Sequence, residues 1–173
     1  MVKNYFLFLF ILISAASYAQ SDIFEACRTG SLLQLKEIYE ESPSVINQTN
    51  LEGYLPLTIA CYYGREEHVN FLVDKVENIN GTSKYGTPLM AAVVKGYSKI
   101  VEILLRKKAN VNIADNNGTL PIHYAVMFKQ YDIIEYLLEA DANIDLKDNR
   151  GNSALDYATI LNDQKIITLL KNK

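Results

Sequence analysis

The sequence has no Trp, two Cys, four Pro and eight Gly in 173 residues. So few cysteines exclude a disulfide-dense scaffold, and so little Pro and Gly excludes a collagen-like or low-complexity chain. Positive charge is in deficit: 17 Lys and Arg face 20 Asp and Glu, for a formal charge of -3. Without a basic excess to neutralise phosphates, nucleic acid is not an expected partner. No two glycines stand in G-x-G and no G-K-[ST] occurs, so dinucleotide and phosphate-loop chemistry have no site. The only histidines are His68 and His123. They are too few and too far apart for a His-based triad or a zinc centre, and no catalytic residue, metal or cofactor is expected.

Long apolar runs are also lacking, with one exception. Tyr5 to Ile13 is unbroken apolar sequence, preceded by Lys3 and followed by Ser17-Tyr18-Ala19, with small residues three and one before a cut at Gln20. This pattern predicts a secretory signal peptide over residues 1–19. Extended to Ala19, the run reaches roughly 15 residues, short of the about 20 that a spanning helix needs. It resembles bacterial export signals, which places the remaining chain in a periplasm for a Gram-negative source and outside the cell otherwise, with no membrane span.

The remainder repeats itself. Gly53-Tyr54-Leu55-Pro56-Leu57-Thr58-Ile59-Ala60, Tyr85-Gly86-Thr87-Pro88-Leu89-Met90-Ala91-Ala92, Gly118-Thr119-Leu120-Pro121-Ile122-His123-Tyr124-Ala125 and Gly151-Asn152-Ser153-Ala154-Leu155-Asp156-Tyr157-Ala158 follow one another at steps of 32, 33 and 33. Leu72, Leu104, Leu137 and Leu170 keep the same step, as do Asn47, Asn80, Asn112 and Asp145. Each unit reads as a turn, a short helix, a tight break and a second helix with 3.6-residue apolar spacing; Pro56, Pro88 and Pro121 open first helices where the missing N–H costs nothing, and Gly30, Gly64 and Gly96 end them. Small residues recur in pairs, Ala26-Cys27, Ala60-Cys61, Ala92-Val93 and Ala125-Val126, where helices must approach closely. One such unit cannot bury both helices alone, so the stack is the cooperative object.

This period and the T-P-L-H-x-A-like segments resemble the ankyrin repeat. The resemblance implies an all-α solenoid of helix-turn-helix units joined by short β-turns or hairpins, spanning residues 20–173 as units 21–50, 51–80, 81–112, 113–145 and 146–173. The first and last units read as caps. Tyr85 replaces the turn Gly and shifts it to Gly86, predicting a different bend there, and Leu55 and Leu120 replace the Thr that would cap the following helix.

Residues with chemical potential mostly have structural readings. His123 is expected to bond neighbouring turn backbone, and Glu66-Glu67-His68 to form a solvated helix start suited to the helix dipole. Cys27 and Cys61 occupy equivalent positions on adjacent helices, roughly 8–10 Å apart, beyond the reach of a disulfide, and read as buried small residues. Arg106-Lys107-Lys108 complements a helix C-terminus. The acceptor-like triplets at Asn47, Asn80 and Asn117 read as turn residues.

The resemblance also implies where function sits: on the turn tips and on the exposed side of the first helices, which form a palm. Here those positions include Tyr54, Tyr62, Tyr63, Lys84, Val94, Lys95, Asn117, Met127, Phe128 and Arg150, with Ile160 and Leu161 more deeply absorbed by the C-terminal cap. Aromatic and apolar side chains in such a row have the composition of a protein-binding hot spot. The expected role is a monomeric, non-enzymatic module that binds a protein partner. A dedicated accessory or immunity factor for one enzyme is the alternative, and a catalyst would need a polar cluster that the sequence lacks.

Overall fold

The computed structural model describes residues 23–83 and 86–172; the signal-peptide reading of residues 1–19 lies outside them. Helix α1 covers 23–28, followed by α2 Leu32–Glu41 and a 3-10 turn, Pro43–Asn47. Four helix pairs come next: α3 Pro56–Tyr62 with α4 Glu66–Leu72, α5 Pro88–Lys95 with α6 Ser98–Arg106, α7 Pro121–Met127 with α8 Tyr131–Glu139, and α9 Ala154–Ile160 with α10 Gln164–Lys171. The first helices stack α3 on α5, α5 on α7 and α7 on α9, while the second helices stack α4, α6, α8 and α10 in a parallel row. The described residues contain no strand; the connections are turns, with a single isolated bridge between Ser83 and Gly86. None of their helices is long and apolar enough to cross a membrane.

The repeating residues occupy repeating places. Ala26, Ala60, Ala92, Ala125 and Ala158 are fully buried, and so are Leu35, Leu72, Leu104, Leu137 and Leu170 on the second helices. Small side chains on one row let the helices close up, and the leucines on the other fill the space between repeats. Pro56, Pro88 and Pro121 each sit in the first helical turn.

Helix starts follow the local side chains. Thr87 Oγ1 accepts the Met90 N–H at 3.2 Å, and Ser153 and Asp156 cap each other reciprocally. Leu55 has no capping side chain, as its chemistry predicts. Leu120 likewise has no capping side chain, but the reverse bond of a capping box is made there: His123 Nδ1 accepts the Leu120 N–H at 3.1 Å.

Four of the five first helices end in the left-handed conformation, which Gly64 and Gly96 adopt at φ 70° and 72°. Lys129 and Asn162 take it in the later repeats. Gly30 does not; there the glycine is required because a Cβ would come within 2.7 Å of Ala26 Cα.

The asparagines that close each unit tie it to the next. Asn47, Asn80 and Asn112 each offer Oδ1 to a backbone N–H of the following repeat, at Glu77, Asn110 and Asn143, with lengths of 2.7–3.0 Å. The structural reading of Asn47 and Asn80 thus has a mechanism: these side chains satisfy otherwise unpaired backbone donors between repeats.

Candidate functional site

Three of the turns are built around a short acid or amide. Asn50, Asp115 and Asp148 each exchange backbone bonds across a four-residue loop and use Oδ1 to accept two more N–H groups within it. In the two acidic turns the remaining oxygen receives a tyrosine hydroxyl from the first helix that follows, Tyr124 to Asp115 at 2.7 Å and Tyr157 to Asp148 at 2.5 Å. These bonds fix the turn tips against the helices. Burial together with the Asp115 bond pushes the Tyr124 hydroxyl up to about 12, so it stays a donor. Ser83 and Gly86, which flank the turn with the shifted glycine, exchange backbone bonds in both directions, while its central residues 84 and 85, and with them the expected difference in bend, lie outside the described residues.

Between these turns and the first helices lies a groove of about 460 Å³. Five of the sequence-predicted residues line it: Tyr54, Tyr62, Tyr63, Val94 and Asn117. Tyr62 and Tyr63 meet edge to face at 5.4 Å. Lys95 stands just outside, its ammonium 4.9 Å from the centre of the Tyr62 ring. Phe128 is 52% exposed and stacks on Tyr124, a groove residue. Met127 is half-buried against the core, and Arg150 is exposed on the next turn, outside the groove. Lys84 lies outside the described residues.

Sequence reasoning singled out neither Asp115 nor Tyr124 as a site residue, nor the floor residues Thr58, Ile59 and Met90. Arg28 and Glu52 also line the groove. The turn motif Asp-x-x-Gly-Thr could have flagged Asp115. The floor residues carry no signal, because their neighbours in space come from other repeats.

Two expectations are corrected. Ile160 is not absorbed by the C-terminal cap but 68% exposed, at the outward end of α9 like Tyr62 and Phe128 at the ends of α3 and α7; Leu161 is half-buried. His68 does not belong to a solvated helix start. It is 3% exposed beneath the exposed Glu66 and Glu67, beside Arg65, whose guanidinium donates to the Gly30 carbonyl of the preceding unit.

His123 has the role expected of it. It is fully buried, takes the Leu120 N–H on Nδ1 and lies 3.0 Å from the Leu146 carbonyl through Nε2, which identifies the neutral tautomer with Nε2–H donating. Cys27 and Cys61 are free and buried; burial pushes Cys27 up to about 12 and raises Cys61 as well, so neither is a reactive thiol.

Both histidines are held below their ordinary pKa, chiefly by burial, with Arg65 adding to the effect at His68. The unfolded chain therefore takes up protons before the folded one does. Stability is full above the unfolded value near 6.5 and falls as pH drops from there towards the lowered folded values. Each pH unit over which one histidine resists protonation costs about 1.4 kcal/mol. Urea unfolding at pH 8, 6.5 and 5 should show this decline, and His68→Gln together with His123→Gln should flatten it; an unchanged slope in the double variant would refute the assignment.

Comparison with known proteins agrees with this architecture. The family model for Ankyrin repeats (3 copies) matches residues 13–115, and that for Ankyrin repeats (many copies) matches residues 104–158. The chain is 37% identical over 99 residues to ankyrin repeat and SAM domain-containing protein 6 of Rattus norvegicus, which is 56% of this chain and 11% of that protein. It is 46% identical over 57 residues to ankyrin repeat and KH domain-containing protein 1 of Homo sapiens, covering 32% of this chain and 2% of the relative. It is 27% identical over 114 residues to probable 26S proteasome regulatory subunit p28 of Saccharomyces cerevisiae, covering 62% and 50%. The chain thus spans half or less of the length of each of these relatives. With more than half of its residues matched by one family model and the helix pairs recurring through the rest, the chain belongs to the ankyrin repeat family.

Proposed function

We propose that the protein is a non-enzymatic module that binds a protein partner along the ends of its first helices and the adjoining groove. Ankyrin repeats generally mediate protein–protein interactions. One observation carries the reading to this surface. Of the eight exposed large apolar side chains among the described residues, five (Tyr62, Tyr63, Val94, Phe128 and Ile160) fall at the ends of consecutive first helices. With neighbouring helices about 8–10 Å apart, the row runs roughly 25–30 Å, the length of an extended segment of about eight residues. Rigid turns and buried helix packing hold this surface in place before binding, which limits the ordering cost. Export rests on the sequence of residues 1–19.

The test is affinity capture from the envelope or secreted fraction, comparing the parent with a Tyr62→Ala, Tyr63→Ala, Phe128→Ala variant matched by circular dichroism. Three exposed aromatics should add little to folding, whereas their loss should weaken capture of a stoichiometric prey on the order of a hundredfold. Prey retained equally by both proteins would overturn the site. In the same preparation, an intact mass beginning at Gln20 supports export with cleavage, and a mass including Met1 refutes it.

A further inference from the structure

We propose that the groove takes a basic side chain, Lys or Arg, projecting from the bound segment of the partner; this rests on the groove being the partner surface. The first support is charge. Three charged residues line the groove: Arg28, Glu52 and Asp115. Arg28 is already neutralised by Glu25 at 3.2 Å and lies over the Tyr63 ring. Glu52 and Asp115 enter none of the ion pairs among the described residues. The groove therefore presents two carboxylates outside any ion pair on its turn side, the cation near Asp115 being Arg150 of the next turn, which acts on the Tyr124 hydroxyl beside it. Asp115 is positioned rigidly, with three acceptor sites taken by the Asn117 and Thr119 N–H groups and the Tyr124 hydroxyl. A carboxylate has about four such sites, so one remains for a donor.

The second support is independent of charge. Thr58 is 4% exposed, lines the groove, and its Oγ1 has no hydrogen-bond partner. It occupies the place held in later repeats by Met90, which needs no partner, and by His123 and Asp156, which have theirs. A buried hydroxyl without a partner is costly, and a donor brought in by a ligand would satisfy it. Lys and Arg side chains carry donors only.

The third support is the lining itself. Aromatic faces attract cations, and this protein already uses them so, with Lys95 over Tyr62 and Arg28 over Tyr63. These two cations belong to the helix-end side. The acidic turn side, with Tyr124 beside Asp115, is the one that offers an incoming cation both an aromatic wall and a counter-charge.

The experiment is selection of peptides from a random display library on the immobilised protein, followed by dissociation constants for the best peptide and its variants. The expected result is a consensus with one basic position. Replacing that residue by citrulline, which keeps the shape and loses the charge, should weaken binding about tenfold or more. Glu52→Gln should weaken it several-fold, and Glu52→Gln with Asp115→Asn further. Thr58→Val should weaken binding while leaving the thermal midpoint unchanged or raised, because it removes an unsatisfied hydroxyl.

Glu52 is exposed, and among the described residues it is its backbone N–H, not its carboxylate, that is hydrogen-bonded, so that variant folds even if Asp115→Asn does not. Peptides that require Tyr62 but contain no basic residue, or that are indifferent to Glu52→Gln and to citrulline, would overturn the cation while leaving the groove as the partner surface. Peptides indifferent to Tyr62→Ala, or no enrichment at all, would overturn both.

Discussion

Leu104→Ala should lower the unfolding free energy by about 2–5 kcal/mol, the range for emptying a fully buried leucine site. Leu104 is completely buried on α6, which packs against α4 on one side and α8 on the other. Both contacts hold neighbouring repeats together, and the surrounding helices cannot collapse into the gap without breaking the close approach that the buried alanines permit. In a linear array each repeat is stabilised by its neighbours, so weakening the central contacts should also loosen the coupling between the two halves. Urea unfolding should therefore show a lower midpoint and a broader or split transition. A sharp transition within 1 kcal/mol of the parent would mean that Leu104 is not the central packing residue described here.

The second large effect is at the last turn. Asp148 is buried, accepts the Arg150 and Asn152 N–H groups on one oxygen and the Tyr157 hydroxyl on the other, and its pKa is held below the usual carboxylate range, with burial opposed by the Tyr157 and backbone bonds. Asp148→Ala leaves all three donors without their acceptor. At about 1.5–3 kcal/mol for a hydrogen bond to a charged group, and with water able to reach the turn backbone, a total loss on the order of 3 kcal/mol is expected. Asp148→Asn keeps an Oδ1 acceptor and should lose less, while Tyr157→Phe isolates the hydroxyl bond. Equal losses for Asp148→Ala and Asp148→Asn in chemical denaturation would show that charge, not turn bonding, is what the residue supplies.

How far the fold is legible follows from where each signal acts. The prolines at 56, 88 and 121, the buried leucine row and the small-residue pairs are visible because each acts within its own unit or on an immediate neighbour, and an array repeats those contacts at a constant step. The capping asparagines at 47, 80 and 112 were legible as unit ends. Their bonds to the next repeat were not, because a side chain's partner one period away has no local signature. His123 was readable as a turn-bonding residue, whereas His68 was misplaced: a charged flank in sequence, Glu66-Glu67, sits on the exposed side of a helix whose other side is sealed by the preceding unit.

The candidate site divides in the same way. Tyr62, Tyr63 and Val94 are identifiable by counting from the small pairs, since helix geometry alone turns those positions outward. Tyr54 and Asn117 follow from turn position. Which of the outward residues share one groove depends on how successive repeats are offset and on which rotamers the turn carboxylates lock, as at Tyr124 with Asp115. That is why Arg28, Glu52, Thr58 and Asp115, drawn from three different units, come together without any spacing that announces it.

By itself, then, the sequence determined the period, the helix pairs, their start and stop residues and the row of buried small and large side chains, because these are set by backbone chemistry and nearest-neighbour packing. Only the tertiary structure decided the burial of His68, the exposure of Ile160, the orphaned Thr58 hydroxyl and the meeting of aromatic walls with two carboxylates outside any ion pair, because each of these depends on what the adjoining repeats cover or leave open.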